Sequence, residues 1–209
     1  VKHISLAKKA DMFMIAPATA NIIGKIAAGI ADDMLTTTVM ATKAPVFFAL
    51  AMNTNMYNNP IVKDNIEKLK SYGYSFIDAD SGHLACGDTG EGKLPPVDTL
   101  LEYIEAEIAC EKDMAGMKVL VTAGPTREAV DPVRYITNHS SGKMGYQIAK
   151  AAMHRGAEVV LVSGPTELET PPHVRKIDIL SAEDMFNAVT AEFPNVDMAI
   201  KAAAVADYT

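Results

Sequence analysis

Several features that would announce a function are scarce or missing from this chain. Two cysteines among 209 residues, Cys86 and Cys110, supply neither a disulfide framework nor a four-cysteine zinc site. The expected setting is therefore reducing and cytoplasmic. Positive charge is not in excess. Nineteen basic against 26 acidic side chains leave a formal −7, which excludes a general polyanion-binding surface; no nucleic-acid partner is expected, although a local phosphate site stays open. Long hydrophobic runs are missing too. Asp11, Asn21, Lys25 and Asp32 interrupt the longest apolar stretches, so no segment reads as a membrane span. No secretory signal is read at the start, and there is no internal repeat or low-complexity tract. Metal-ligand spacing is also lacking. Asp78, Asp80 and Asp88 share one segment, but Gly82 falls one place early for an EF-hand loop and no Glu follows at ligand spacing.

What is present is a globular composition, 49% apolar and 22% charged, on a chain long enough for one large domain or two small ones. Residues 11–18 (DMFMIAPA) and 45–52 (PVFFALAM) read as buried parallel strands. A helix is expected from near Asn21, where Ile22, Ile26 and Ile30 recur every four residues. Residues 53–59 are turn-forming, Pro60 opens a further helix that Gly73 closes, and residues 74–77 form a short strand. Residues 78–96 hold four glycines and read as a long loop, followed by a helix over 97–108. A second series begins near Met117: strand 118–123 (KVLVTA), long loop 124–141, helix 142–155, strand 158–163 (EVVLVS), a helix capped by Ser181 with Asp184 as its capping-box partner, and strand 197–205. Alternating strands and helices predict an α/β fold of two Rossmann-like parallel-sheet units. The linker at 110–116 (CEKDMAG) divides the chain into domains 1–112 and 113–209.

Ligands of open parallel sheets bind beyond the carboxyl ends of the strands. In the first half two such ends run into unusual polar sequence. After strand 11–18 come Thr19, Ala20 and Asn21 at a helix start, where backbone N–H groups and the Thr19 hydroxyl are able to hold an anion or a ring carbonyl; plain helix capping is the alternative. After strand 45–52 comes Asn53. Read together, Pro17-Ala18-Thr19-Ala20-Asn21 resembles the Pro-Ala-Ser-Ala-Asn-Thr signature of FMN-dependent cysteine decarboxylases. Ala51-Met52-Asn53-Thr54-Asn55-Met56-Tyr57 resembles their Pro-x-Met-Asn-x-x-Met-Trp substrate motif, with Leu50 in place of the usual Pro and Tyr57 in place of Trp. His3 matches the active-site histidine, and Leu84-Ala85-Cys86-Gly87, followed by Gly90 and Gly92, resembles the flap that carries the catalytic cysteine. The family so resembled is phosphopantothenoylcysteine decarboxylase of coenzyme A biosynthesis.

That resemblance implies a flavodoxin-like half with FMN held by Thr19, Ala20, Asn21, Ile22 and Ala51. Asn53 and Met56 would bind the substrate, Asn53 at its carboxylate. His3 would assist oxidation or decarboxylation, and Cys86 would protonate the ene-thiol intermediate, a donor role suited to a thiol with a pKa near working pH. A flavin that oxidises the thiol provides the electron sink that loss of the carboxylate requires. The residues taken alone leave the bland readings open: a lone Cys is most often an inert buried residue.

In the second half, small residues and glycines at a helix start let backbone approach a phosphate. The pattern is neither a Walker A motif, since Thr137 and Met144 stand at required positions, nor the dinucleotide fingerprint; a plain helix cap remains the alternative. The string Ala123-Gly124-Pro125-Thr126-Arg127, continuing through Asn138-His139-Ser140-Ser141-Gly142-Lys143-Met144-Gly145, resembles phosphopantothenate–cysteine ligase, and Ala202 through Tyr208 resembles its nucleotide-base region. The resemblance implies a CTP-dependent ligation through an acyl-cytidylate, with Mg2+ expected. Asn138 would contact the acyl intermediate. Gly124, Ser140, Gly142 and Gly145 would line its site, and Ala203, Ala204 and Asp207 would meet the cytidine. Lys143 has a bland reading as a solvated helix residue.

In many bacteria the two enzymes are fused in this order. The chain, which begins at Val1, is accordingly expected to be an internal fragment, truncated in both halves and without ligase activity of its own. Substrates implied are phosphopantothenate, cysteine and phosphopantothenoylcysteine, and the assembly implied is a homo-oligomer built on trimers, up to a dodecamer. The rivals are a non-catalytic flavin-binding regulatory subunit of the same fold, a flavin enzyme decarboxylating another cysteine-containing substrate, and a dinucleotide reductase. Retention of His3, Asn53 and Cys86 argues against the first, the attached ligase half against the second, and the missing fingerprint against the third.

Overall fold

The computed structural model describes residues 1–83 and 89–207. Two compact units divide between Ile104 and Glu105.

The first unit runs α1 (Lys2–Lys9), β1 (Phe13–Ala18), α2 (Ala20–Ala27), α3 (Met34–Ala41), β2 (Val46–Leu50), α4 (Thr54–Tyr57), α5 (Pro60–Ser71), β3 (Ser75–Ile77), β4 (Asp80–His83) and β5 (Thr89–Lys93) into α6 (Val97–Ile108). β1, β2 and β3 form a parallel sheet in that order. All five residues of β2 are buried, the pattern of a parallel strand covered on both faces. On one face Phe48 and Leu50 pack with Ile22, Ile23 and Ile26 of α2 and with Ile66 and Leu69 of α5. On the other, Phe47 and Ala49 pack with Ile77 and Leu100. Phe48 is fully buried, stacked on Phe76 at 5.0 Å and edge-on to Tyr74 at 5.7 Å.

Local chemistry sets the helix starts. Asp33 accepts from the Thr36 amide at 2.7 Å in a reciprocal capping box, and Asn59 caps α5 with Pro60 in its first turn. The stretch 78–96, read as a loop, contains the antiparallel hairpin β4–β5. Residues 53–59, read as a turn, contain the single helical turn α4.

The second unit holds β6 (Lys118–Ala123), β7 (Arg127–Ala129), β8 (Tyr135–Thr137), α7 (Lys143–His154), β9 (Glu158–Ser163), β10 (Val174–Asp178), α8 (Ala182–Glu192) and β11 (Met198–Lys201). Its four parallel strands lie in the order β10-β9-β6-β11. The first, second, third and fourth long strands thus stand in the spatial order 3-2-1-4, as at the start of a doubly wound sheet. α7 covers one face through Tyr146, Ala149, Ala152 and Met153; α8 covers the other through Met185 against Leu120, Val160 and Val162. The loop expected at 124–141 contains the hairpin β7–β8. The strand expected to reach residue 205 stops at Lys201, because the chain then leaves the ladder to bond the turn after β6: Ala204 N donates to Gly124 O at 2.9 Å.

Candidate functional site

In the first unit the carboxyl ends of β1 and β2 lie side by side. Ala51 N donates to Ala18 O at 3.0 Å, which brings the start of α2 next to the turn that carries Asn53. Thr19 is the N-cap of α2, yet its hydroxyl makes no capping bond. Thr19 and Asn21 are exposed, Ala20 is half-buried, and Ile22 faces the core. The capping alternative therefore fails for Thr19, and the first-turn amides of α2 open toward the strand ends without a side-chain cap.

Asn53 is the N-cap of α4, and its Oδ1 accepts from the Asn55 amide at 2.9 Å. That bond occupies Oδ1 of the carboxamide. Met56 is exposed on the same turn. Hairpin β4–β5 is rooted here: Met52 N donates to Gly92 O at 2.9 Å and Thr54 Oγ1 to Glu91 O at 2.7 Å. Burial, with the carboxylates of Asp78 and Glu91 nearby, raises the Tyr57 phenol above its ordinary value. The structure thus gathers Thr19, Ala20, Asn21, Ala51, Asn53 and Met56 at one edge. His3 lies in α1, which packs on α3; among the described residues no hydrogen bond ties it to these turns. Cys86 lies outside the described residues.

In the second unit the gathering is closer. Gly124 follows β6 with φ +73°, and Gly142 caps α7 with φ +75°, a left-handed backbone that favours glycine. A Cβ at Gly142 would stand 2.7 Å from Thr166 Cγ2 and 3.3 Å from the Gly124 backbone, and one at Gly145 would stand 2.8 Å from Thr122 O. These glycines let α7 start against the end of β6. Asn138 Nδ2 donates to Ala204 O at 2.5 Å, and its Oδ1 accepts from Ser140 N at 3.0 Å. Its carboxamide therefore ties the segment after β11 to the loop before α7. Thr126, fully buried, accepts from Ala206 N at 2.9 Å, and Thr122 Oγ1 accepts from the Ala202 and Ala203 amides, both at 3.2 Å. Ala203 and Ala204 are half-buried and Asp207 is exposed.

Sequence reasoning missed Thr122, Thr126 and Gly164. The two threonines carried a signal, as polar residues within and just beyond an apolar strand. Gly164 follows β9, where a Cβ would fall 1.7 Å from Pro125 O. Among the described residues no group of three or more His, Cys, Asp or Glu is placed to hold a metal, and no helix is long and apolar enough to cross a membrane.

Parallel sheets with helix starts and polar turns at their carboxyl ends define an α/β protein of the open-sheet class, whose ligands bind beyond those strand ends. The chain belongs to the flavoprotein family, whose model matches residues 1–109. Residues 114–209 match the DNA/pantothenate metabolism flavoprotein C-terminal domain. The chain is 50% identical over 212 residues to the coenzyme A biosynthesis bifunctional protein CoaBC of Bacillus subtilis, covering 100% of this chain and 52% of the relative. To the protein of the same name from Escherichia coli it is 47% identical over 206 residues, covering 99% and 51%. It therefore spans about half the length of the curated relatives it matches. Among solved structures, a PPC decarboxylase mutant complexed with pantothenoylaminoethenethiol is 38% identical over 50% of this chain and 58% of that one, with a TM-score of 0.49.

The family implies a flavin, and the residues at the first site fit one. A hydroxyl left unused at its own helix cap and uncapped first-turn amides, beside the half-buried Ala51, form a donor-bearing rim suited to the carbonyls of a flat heterocycle.

Proposed function

We propose that the first unit is an FMN-dependent decarboxylase acting on 4'-phosphopantothenoylcysteine to give 4'-phosphopantetheine. The observation that carries this reading is the juxtaposition of the α2 start with the Asn53 turn, joined through Ala51 N to Ala18 O at 3.0 Å. Thr19, Ala20, Asn21, Ile22 and Ala51 would hold FMN. When bound, it supplies two-electron redox chemistry at the substrate thiol and so an electron sink for loss of carbon dioxide. Asn53, its Oδ1 fixed by the Asn55 amide, binds the substrate carboxylate through its NH2 end. Met56 lines the same turn. His3 assists oxidation or decarboxylation, and the Cys86 thiol returns a proton to the product.

The second unit, in this reading, contributes to CTP-dependent ligation of phosphopantothenate with cysteine, with Mg2+ as the metal of the nucleotide. Gly124, Ser140, Gly142 and Gly145 shape a backbone cradle at the start of α7. Ala203, Ala204 and Asp207 receive the base. Asn138 meets the acyl intermediate and, through its bonds to Ala204 O and Ser140 N, keeps the two sides of that cradle in register. The division of labour falls at the 110–116 linker. A homo-oligomer of trimers or their multiples is part of the same reading.

The visible spectrum of the purified chain, followed by carbon dioxide release from phosphopantothenoylcysteine, tests the first assignment. Extractable FMN and turnover that Cys86→Ser abolishes are expected. A folded, colourless protein that takes up no added FMN overturns it. No ligation is expected from this chain alone, which spans about half of its relatives' length; CTP-dependent turnover, with host enzyme excluded, overturns that.

A further inference from the structure

α4 is a single turn of four residues, far below the length at which a helix keeps its own shape in water. The direction in which Asn53 points is therefore set by what α4 is tied to. One tie is a side chain to which the family resemblance gives no role: Thr54 Oγ1 donates to Glu91 O of β5 at 2.7 Å. Beside it, Met52 N donates to Gly92 O at 2.9 Å. Two glycines make the approach possible. A Cβ at Gly90 would stand 2.7 Å from Thr54 Oγ1, and one at Gly92, where φ is +128°, would stand 2.0 Å from Met52 O.

We propose that Thr54 is a positioning residue. Its hydroxyl latches the turn that presents Asn53 onto hairpin β4–β5, so the carboxamide meets a carboxylate-bearing substrate already oriented. The proposal rests on the decarboxylase reading given above. Thr54→Val keeps the side-chain shape and removes the donor, whereas Thr54→Ser keeps the donor. Gly90→Ala attacks the same contact from the hairpin side.

The test uses the full chain. Steady-state decarboxylation of phosphopantothenoylcysteine by the FMN-loaded protein gives KM and kcat. Hydrogen exchange on the flavin-free protein gives the protection of residues 50–57 and 89–93. Thr54→Val is expected to raise KM about tenfold, the scale of one lost hydrogen bond, and to change kcat less than about twofold, since a binding interaction is lost. Exchange in both segments is expected to quicken, and Thr54→Ser to restore both readouts. Gly90→Ala is expected to behave like Thr54→Val. Combined with Thr54→Ala, which removes the obstructing hydroxyl, it should cost less than the two changes summed.

An unchanged KM in Thr54→Val overturns the proposal, as does a loss that Thr54→Ser fails to rescue. Should Thr54→Val not fold, Thr54→Ser and Gly90→Ala decide by the same readouts. If the wild-type chain releases no carbon dioxide, the decarboxylase reading falls separately, and exchange alone then judges the latch: quickened exchange in both segments upholds it, and unchanged exchange removes it.

Discussion

At the scale of single residues, the most demanding positions are those where backbone passes backbone. Gly164 is the extreme case, because an added methyl would overlap the Pro125 carbonyl at 1.7 Å and both groups belong to the chain itself. Gly164→Ala is expected to destabilise the second unit by about 3 kcal/mol, at the upper end for overpacking, measured by urea unfolding; a loss under about 1 kcal/mol would show that the turn after β9 yields freely. Such positions are only half legible in a sequence. Gly124 and Gly142 stood out because they flank an apolar strand and open a helix. Gly164 sits in an ordinary-looking Ser-Gly-Pro turn, and only the crossing of the turns after β6 and β9 gives it meaning. Asn138 was singled out from sequence as a candidate, but its bond to Ala204 O, which joins positions 66 residues apart, was not legible there.

At the scale of elements, legibility followed the strength of the periodic pattern. VFFAL, and the VLV and VVLV runs within KVLVTA and EVVLVS, are continuous and apolar, and the buried strands β2, β6 and β9 lie where those runs do. α3 was harder to see, because three of its eight residues are Thr, a β-branched type that weakens the helical signal. The hairpins β4–β5 and β7–β8 were hidden for another reason. Their strands are short and mostly exposed, so no alternation of apolar and polar residues marks them. The caps carry a pH signature. The Thr36 amide, followed by the Thr36 hydroxyl, lowers the Asp33 carboxyl below its ordinary value, and the Ser181 amide does the same for Asp184. A lowered folded-state pKa means stability that is present above the ordinary carboxylate value, about 3.9, and lost as pH falls through the folded value. Melting temperature should therefore drop on acidification from about pH 5 toward pH 2. Asp33→Asn, which keeps a good neutral cap, should show a shallower drop over that window; an identical slope would remove Asp33 as a contributor.

At the scale of the whole molecule, two cores are enclosed by two separate sets of residues. Unfolding is expected to proceed in two steps, which calorimetry or urea titration resolves. Phe48→Ala should lower the first unit's transition by about 3–5 kcal/mol and leave the other in place; a single transition shifted as a whole would contradict independent cores. The same strand governs how the chain behaves before it is folded. Uncharged, rich in β-formers and free of proline within its five residues, β2 is the kind of segment that stacks with copies of itself when exposed. In the native sheet it lies between β1 and β3 with neither edge open. Lys43 and Pro45 stand just ahead of it as gatekeepers, a charge and a missing donor that discourage growth of a foreign ladder. Refolding yield is thus expected to fall with protein concentration, and removing Lys43 or Pro45 should steepen that fall without touching either candidate site.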